Sequence, residues 1–239
     1  MKTKNIADVV LVALLLQVYG CIPTTVRDND KRYERTEAVY FVSLQTVQLL
    51  GVEPQLSGSI NNRIAADNMS TAEYQDNYVK TTWNYDSKRV GNEQLRFHLE
   101  NKTDSLVKLL WDDAAYVDPF EVTHKVTHSG VRGLDIQRPQ SPSLILGKSR
   151  ISDVIVPTDY VTFVSGEWRA RGLFLPWLFL NSNQEKDFEK FKQEVNAYKG
   201  RSFRVLLPLL FAQNSRNHVF TFTIDSIRFN IQRTPPSFD

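Results

Sequence analysis

The sequence predicts a mainly β protein, an antiparallel β-sandwich with one capped α-helix, about residues 184–199, packed on it. Three observations predict this fold. From residue 78 onward, short runs alternate apolar and polar residues at period two. Turn-forming residues separate the runs, and a single stretch with helical spacing interrupts them.

The elements follow in chain order. Met1-Lys2-Thr3-Lys4 is cationic, Val9 to Leu16 is apolar, and Val18-Tyr19-Gly20 leads to Cys21. A cationic start, a short apolar run and a small residue before a break are the layout of an export signal. The run falls well short of the ~20 residues that span a bilayer, so residues 1–20 are expected to be a removed signal peptide. Val18-Tyr19-Gly20-Cys21 resembles the lipobox of bacterial lipoproteins. That resemblance implies diacylglycerol on the Cys21 sulfur, cleavage before it, and acylation of the new amino end. Two or three acyl chains anchor stably, whereas one anchors only reversibly. Ile22 stands where many enterobacterial lipoproteins retained at the inner membrane carry Asp, which implies the periplasmic face of the outer membrane. The alternative is ordinary secretory cleavage leaving a free thiol. Cys21 is the only cysteine in the chain, so neither an intrachain disulfide nor a thiolate metal site is expected.

Residues 21–37 are polar and charged and read as a tether. Residues 38–77 form an N-terminal extension of uncertain structure. Within it, Val39-Tyr40-Phe41-Val42 suits a strand, while Leu44, Val47 and Leu50 recur at helical spacing, and periodicity leaves the two open. Gly51 to Asn77 is rich in Asn, Ser, Asp and Gly, with a weak helical stretch near Ser70 to Tyr78, and reads as a surface connection. The body, 78–239, then offers strands at Val79 to Trp83, Leu95 to Leu99, Leu106 to Trp111, Ala115 to Val117, Val122 to Thr127 and Leu144 to Leu146. Further strands are read at Ile151 to Pro157, Tyr160 to Val164, Leu173 to Leu180, Phe203 to Phe211 and Val219 to Ile231.

Ser182-Asn183-Gln184-Glu185 has the form of a capping box. Phe188, Phe191, Val195 and Tyr198 continue as one apolar stripe, and Gly200 stands at a C-terminal cap position. In Val219 to Ile231 the alternation changes phase between Ile224 and Ile227, which predicts a bulge or turn at Asp225-Ser226. The turn Asn101-Lys-Thr-Asp104, the strand ending in Trp111, and the segments 112–118 and 124–128 resemble immunoglobulin-like modules of bacterial envelope lipoproteins. That resemblance covers about residues 78–165 and implies an immunoglobulin-like sandwich, not an activity.

Lys and Arg total 29 against 27 Asp and Glu, a formal charge of +2. Such balance gives no overall field to recruit nucleic acid. Arg169-Ala-Arg171 and Lys199-Gly-Arg201 read as solvated loop charges. His124 and His128 share one face of a strand about 13 Å apart, too far for joint ligation, and are expected to be exposed. Asp112, Asp113, Asp118 and Glu121 read as a solvated, turn-forming acidic loop. Catalytic motifs are absent, so a non-enzymatic protein without cofactor or metal is expected.

The run Leu173-Phe174-Leu175-Pro176-Trp177-Leu178-Phe179-Leu180 is the most unusual. Pro176 cannot donate to a strand ladder, which suggests an edge, a bulge or two short pieces. Core is the first reading of this run. The second makes Leu173, Phe174, Leu175, Trp177 and Phe179 contacts to a partner protein or the membrane interface. The functional expectation is a lipid-anchored envelope protein that binds another envelope protein or serves structurally. The alternatives are a ligand-binding lipoprotein with an apolar pocket under this run and the helix, and an envelope glycan or lipid hydrolase.

Overall fold

The computed structural model describes residues 34–51, 58–65, 69–86, 94–174, 177–180, 185–212 and 214–233. Cys21, most of the tether, Leu175, Pro176 and the capping box at 182–184 lie outside them, as do the side chains of Trp177 and Phe179.

The described chain is mainly β and antiparallel, with one α-helix. Its strands are β1 (Glu34–Leu50), β2 (Ser59–Ile64), β3 (Ser70–Gln75), β4 (Val79–Tyr85), β5 (Leu95–Asn101), β6 (Val107–Leu109), β7 (Ala115–Val117) and β8 (Thr123–Thr127). They continue with β9 (Ser143–Ile145), β10 (Arg150–Pro157), β11 (Val161–Val164), β12 (Glu167–Ala170) and β13 (Trp177–Leu180). The helix α1 (Glu185–Asn196), β14 (Ser202–Phe211) and β15 (Asn214–Arg233) complete the order. Thirteen strands form one hydrogen-bonded ladder along the path β13-β1-β15-β14-β7-β8-β10-β5-β4-β3-β2, with β6 attached to β14 and β9 to β6. Among the described residues the hairpin β11–β12 pairs only with itself.

This ladder curves into a nearly closed, barrel-like sheet, and its pairings are not divided into the two separate facing sheets of an immunoglobulin-like sandwich. Two joints explain the shape. On one side, β8 meets β10 through only two residue pairs, Val156 with Thr127 and Pro157 with Val126. On the other, β2 and β3 reach β1 through side chains. The Val42 amide donates to Ser70 Oγ at 3.1 Å, the Leu44 amide donates to Asn62 Oδ1 at 2.9 Å, and Asn62 Nδ2 donates to the Leu44 carbonyl at 3.0 Å. The Asn62 amide thus serves Leu44 as a neighbouring strand's peptide group would.

Alternation decides what enters the core. Val79, Thr81, Trp83 and Tyr85 of β4 are buried, as are Leu95, Phe97, Leu99 and Asn101 of β5. Trp83 reaches across the interior to Phe220 and Phe222 of β15, with ring centroids 4.8 and 5.4 Å away. Phe191 and Val195 of α1 join the same core, and Tyr198 just beyond the helix packs on Tyr40, Phe120 and Phe174. Gly200, expected at a C-terminal cap, sits at φ +75° beyond the end of α1, and its amide donates to the Ile224 carbonyl at 2.8 Å instead of to the helix, so it turns the chain into β14.

The segment 38–50, open between strand and helix in the sequence, is a strand, and 59–75 supplies β2 and β3 to the same sheet instead of a surface connection with a weak helix. The expected irregularity at Asp225 is present. Phe41 pairs with Ser226 and Val42 with Ile224, so Asp225 is the extra residue of a bulge. A second shift between Leu44 and Thr46 places Gln45 opposite no partner on β15.

Candidate functional site

The run Val154-Ile155-Val156-Pro157 is the local reason a site exists. The first half of β10 alternates as a half-exposed strand should, but these four residues are all buried. Both faces of the sheet are therefore covered there. The inner face meets the core, and the outer face is roofed by β11–β12. Between roof and sheet lies a cleft of about 770 Å³. Its floor includes Val154 and Val156, its rim Arg96, Thr127, His128 and Ser129, and its roof Glu167, Trp168 and Arg169.

Trp168 is held by its neighbours. A Cβ added at Gly133 would fall 2.2 Å from Trp168 Cγ, so the indole lies directly over that glycine backbone. Phe163 lies opposite Trp168 on β11, ring centroids 5.3 Å apart. Phe163 is 60%, Trp168 43% and Leu134 81% exposed, which makes an apolar ridge along the hairpin and the adjacent turn. Two ion pairs fringe it, Arg169 with Glu167 at 3.1 Å and Arg138 with Asp135 at 2.9 Å.

His128 forms the inner wall. Its ring stacks on Trp111, centroids 4.3 Å apart and planes within 9°. Its Nδ1 lies 3.1 Å from Asp153 Oδ2, while the other carboxylate oxygen accepts from the Ser129 amide and hydroxyl, each at 2.9 Å. Burial raises the Asp153 pKa, but hydrogen bonds from His128, the Ser129 and Val154 amides and the Ser129 hydroxyl outweigh it and hold the carboxyl below its ordinary range. A carboxylate only accepts, so Nδ1 carries the proton. The Gly130 amide also points at Nδ1 from 3.3 Å. That nitrogen cannot receive while it donates, and the shorter, charge-assisted bond to Asp153 takes precedence. Because the Ser129 hydroxyl donates to Asp153 rather than to the imidazole, Ser129, His128 and Asp153 are not arranged as a nucleophile with its base.

The other histidine expected on the surface is also enclosed. His124 is buried, with Asp159 2.9 Å from Nδ1 and Asp118 3.4 Å from Nε2. The expectation of two exposed strand histidines is thereby corrected: loop carboxylates fold back over one ring and Trp111 stacks on the other. Asp118 Oδ1 also receives the Phe120 and Val122 amides, so this part of the acidic loop caps a tight turn between β7 and β8. Asp112 receives the Gln140 amide. Among the described residues, no group of three or more His, Cys, Asp or Glu is placed to hold a metal ion.

Leu173 and Phe174 are buried, and Phe174 packs its ring on Tyr40, Tyr85, Tyr198 and Phe203. These two are core, not surface contacts. Of the basic pairs, Arg171 lies over the Tyr160 ring at 3.7 Å and Arg201 over Phe120 at 4.7 Å, so each has an aromatic partner. Sequence reading missed the cleft because β12, Glu-Trp-Arg-Ala, alternates over four residues alone, too short a run to stand out. The usable signal was the unbroken Val154 to Pro157.

The chain matches no protein-family model, no curated protein and no solved structure. No helix of the described residues is long and apolar enough to cross a membrane.

Proposed function

We propose that the chain is a lipoprotein anchored through Cys21 at the periplasmic face of the outer membrane, where its body binds another envelope protein without catalysing a reaction. The observation that carries the binding half is the ridge of Phe163 and Trp168, on a hairpin that among the described residues pairs only with itself, together with Leu134 of the adjacent turn. Exposed aromatic side chains next to arginine are the usual anchors of protein interfaces. This ridge takes the contact role of the second reading for Leu173 and Phe174, which are buried, while Leu175 and the side chains of Trp177 and Phe179 lie outside the described residues. Partner binding through the ridge also fits an anchor that confines the protein to one surface.

Two experiments separate the halves. Cys21→Ser should abolish acyl labelling and membrane fractionation and leave the body folded; a variant still labelled and membrane-bound removes the anchor. A photocrosslinker at position 163, in cells, should give one discrete protein adduct that Leu134→Ser abolishes, while a crosslinker at Lys190 on the outer side of α1 gives none. Adducts to lipid alone would replace the partner with the bilayer surface.

A further inference from the structure

The thinnest joint of the ladder is held by side chains as much as by peptide groups. Among the described residues β8 meets β10 through two residue pairs, and in one of them Pro157 has no amide to donate. A histidine–aspartate pair brackets the joint at each end, His128 with Asp153 and His124 with Asp159. Continuing the register by two residues from Val126 and Pro157 sets His124 across from Asp159, and on its other side β7 places Tyr116 beside it. The two pairs differ at the second ring nitrogen. His128 Nε2 has no partner among the described residues, so losing its charge would cost that ring no bond. His124 has a carboxylate at each nitrogen, Asp159 2.9 Å from Nδ1 and Asp118 3.4 Å from Nε2. A carboxylate only accepts, so both contacts are hydrogen bonds only while both nitrogens carry protons. A neutral ring would turn a lone pair on one of the two carboxylates.

We propose that Asp118, His124 and Asp159 form a proton-operated clasp, which ties the turn between β7 and β8 to the base of the β11–β12 roof in mild acid and loosens as pH rises. The direction follows from the bonds. The protonated ring holds both carboxylates and the neutral ring holds one, so the stabilisation is complete on the acid side and is lost as the ring gives up its second proton. Histidine as a class exchanges that proton between about pH 5 and 8, where its neighbours here keep their charge. Tyr160 and Tyr116 place their rings 5.2 and 5.9 Å from the imidazole, and burial raises both phenols out of this range. Arg171, over the Tyr160 ring, stays charged throughout, and Glu121 of the same turn is paired with Arg204. The loosening reaches the roof because Asp159 precedes Tyr160, whose carbonyl accepts the Arg171 amide at 2.9 Å and so closes the base of the hairpin. The clasp depends neither on the anchor nor on a partner at the ridge.

The test is hydrogen exchange of the full-length protein in detergent, read by mass spectrometry from about pH 5.5 to about pH 8 and corrected for the intrinsic exchange rate. Protection over residues 116–126 and 156–164 should fall about tenfold across that range, the worth of one charge-assisted bond, while β4 and β5 keep theirs. Asp118→Asn is the decisive variant. Its side-chain oxygen can go on accepting the Phe120 and Val122 amides while its amide nitrogen donates to a neutral His124 Nε2, so the profile should become level with pH. Asp159→Asn, on the exposed side of the ring, should level it through the opposite tautomer. A wild-type profile without the fall, a fall shared equally by β4 and β5, or variants that still fall tenfold would each overturn the clasp.

Discussion

Two aspartate–histidine pairs in this protein share their chemistry and differ in where water stands. Asp76 and His218 are sealed, with side chains 1% and 0% exposed and Nε2 3.3 Å from Oδ2. In the second pair Asp153 and His128 are 11% and 14% exposed, and His128 lines the cleft. Around Asp76 every valence is used: Tyr74 donates its hydroxyl at 3.0 Å, and the Tyr78 and Val79 amides donate at 2.7 and 2.8 Å. The first pair ties the turn between β3 and β4 to β15 across the core. The second leaves one imidazole nitrogen without a partner among the described residues. Identical residue types thus become a sealed strut or a partly open pair according to burial alone.

The largest test of this comparison is Asp76→Ala, which strands His218, the Tyr74 hydroxyl and two amides in the core. It should cost about 3–5 kcal/mol in urea unfolding, against about 1–2 kcal/mol for Asp153→Ala, whose partners can reach water. Equal losses would dissolve the distinction. Acid sharpens it. Burial raises the Asp76 pKa, yet the bonds from His218, Val79 and Tyr78 outweigh burial and lower it. A depressed folded pKa gives stability that is present above the unfolded value and lost as pH falls through the folded one. The loss should therefore develop below about pH 4, and Asp76→Asn should flatten that limb of a urea-midpoint series measured between pH 7 and pH 2. Asp153 is lowered in the same direction and contributes to the same limb.

Gly133→Ala probes the cleft side from its roof. The new Cβ would overlap the Trp168 ring, so the indole must shift. A loss of about 1–3 kcal/mol is expected, with a red shift in tryptophan emission, since Trp83 and Trp111 stay buried. Asn62→Ala probes the closure of the sheet and should have the smallest effect, about 1 kcal/mol for two partly exposed hydrogen bonds. Hydrogen exchange should speed up at the Leu44 amide and not at Phe222, its partner on β15.

Strands with one wet face were legible because their alternation is written in single residues. The strands read at Val79 to Trp83 and Leu95 to Leu99 are present and run on to Tyr85 and Asn101, Ala115 to Val117 is a strand as read, and the phase change around Asp225 became a bulge. Strands outside that condition were not. Every residue of β2 is exposed, so Ser-Ile-Asn-Asn-Arg-Ile carries no pattern. In β1, Glu37 to Val42 are buried without interruption, so helix and strand periodicities were equally blurred. The barrel-like curvature depends on Asn62 and Ser70 replacing peptide groups, which no local pattern records. The cleft depends on a hairpin folding over a seam, and only the unbroken Val154 to Pro157 hinted that both faces were covered.

The pairing of β1 with β15 carries a consequence for how the molecule comes into being. Glu34 lies opposite Arg233 and Leu50 opposite Asn217, so the longest ladder joins segments far apart in sequence. Contacts of such separation form late and fold slowly, because the intervening loop must first close. An early β1 has only transient partners until residues 214–233 are present, and its apolar Val39-Tyr40-Phe41-Val42 stays exposed meanwhile. A chain that crosses a membrane unfolded is served by that delay, and a chain made without an escort is endangered by it. Refolding should accordingly be slow, and truncation before Asn214 should leave a product that aggregates rather than a smaller folded body.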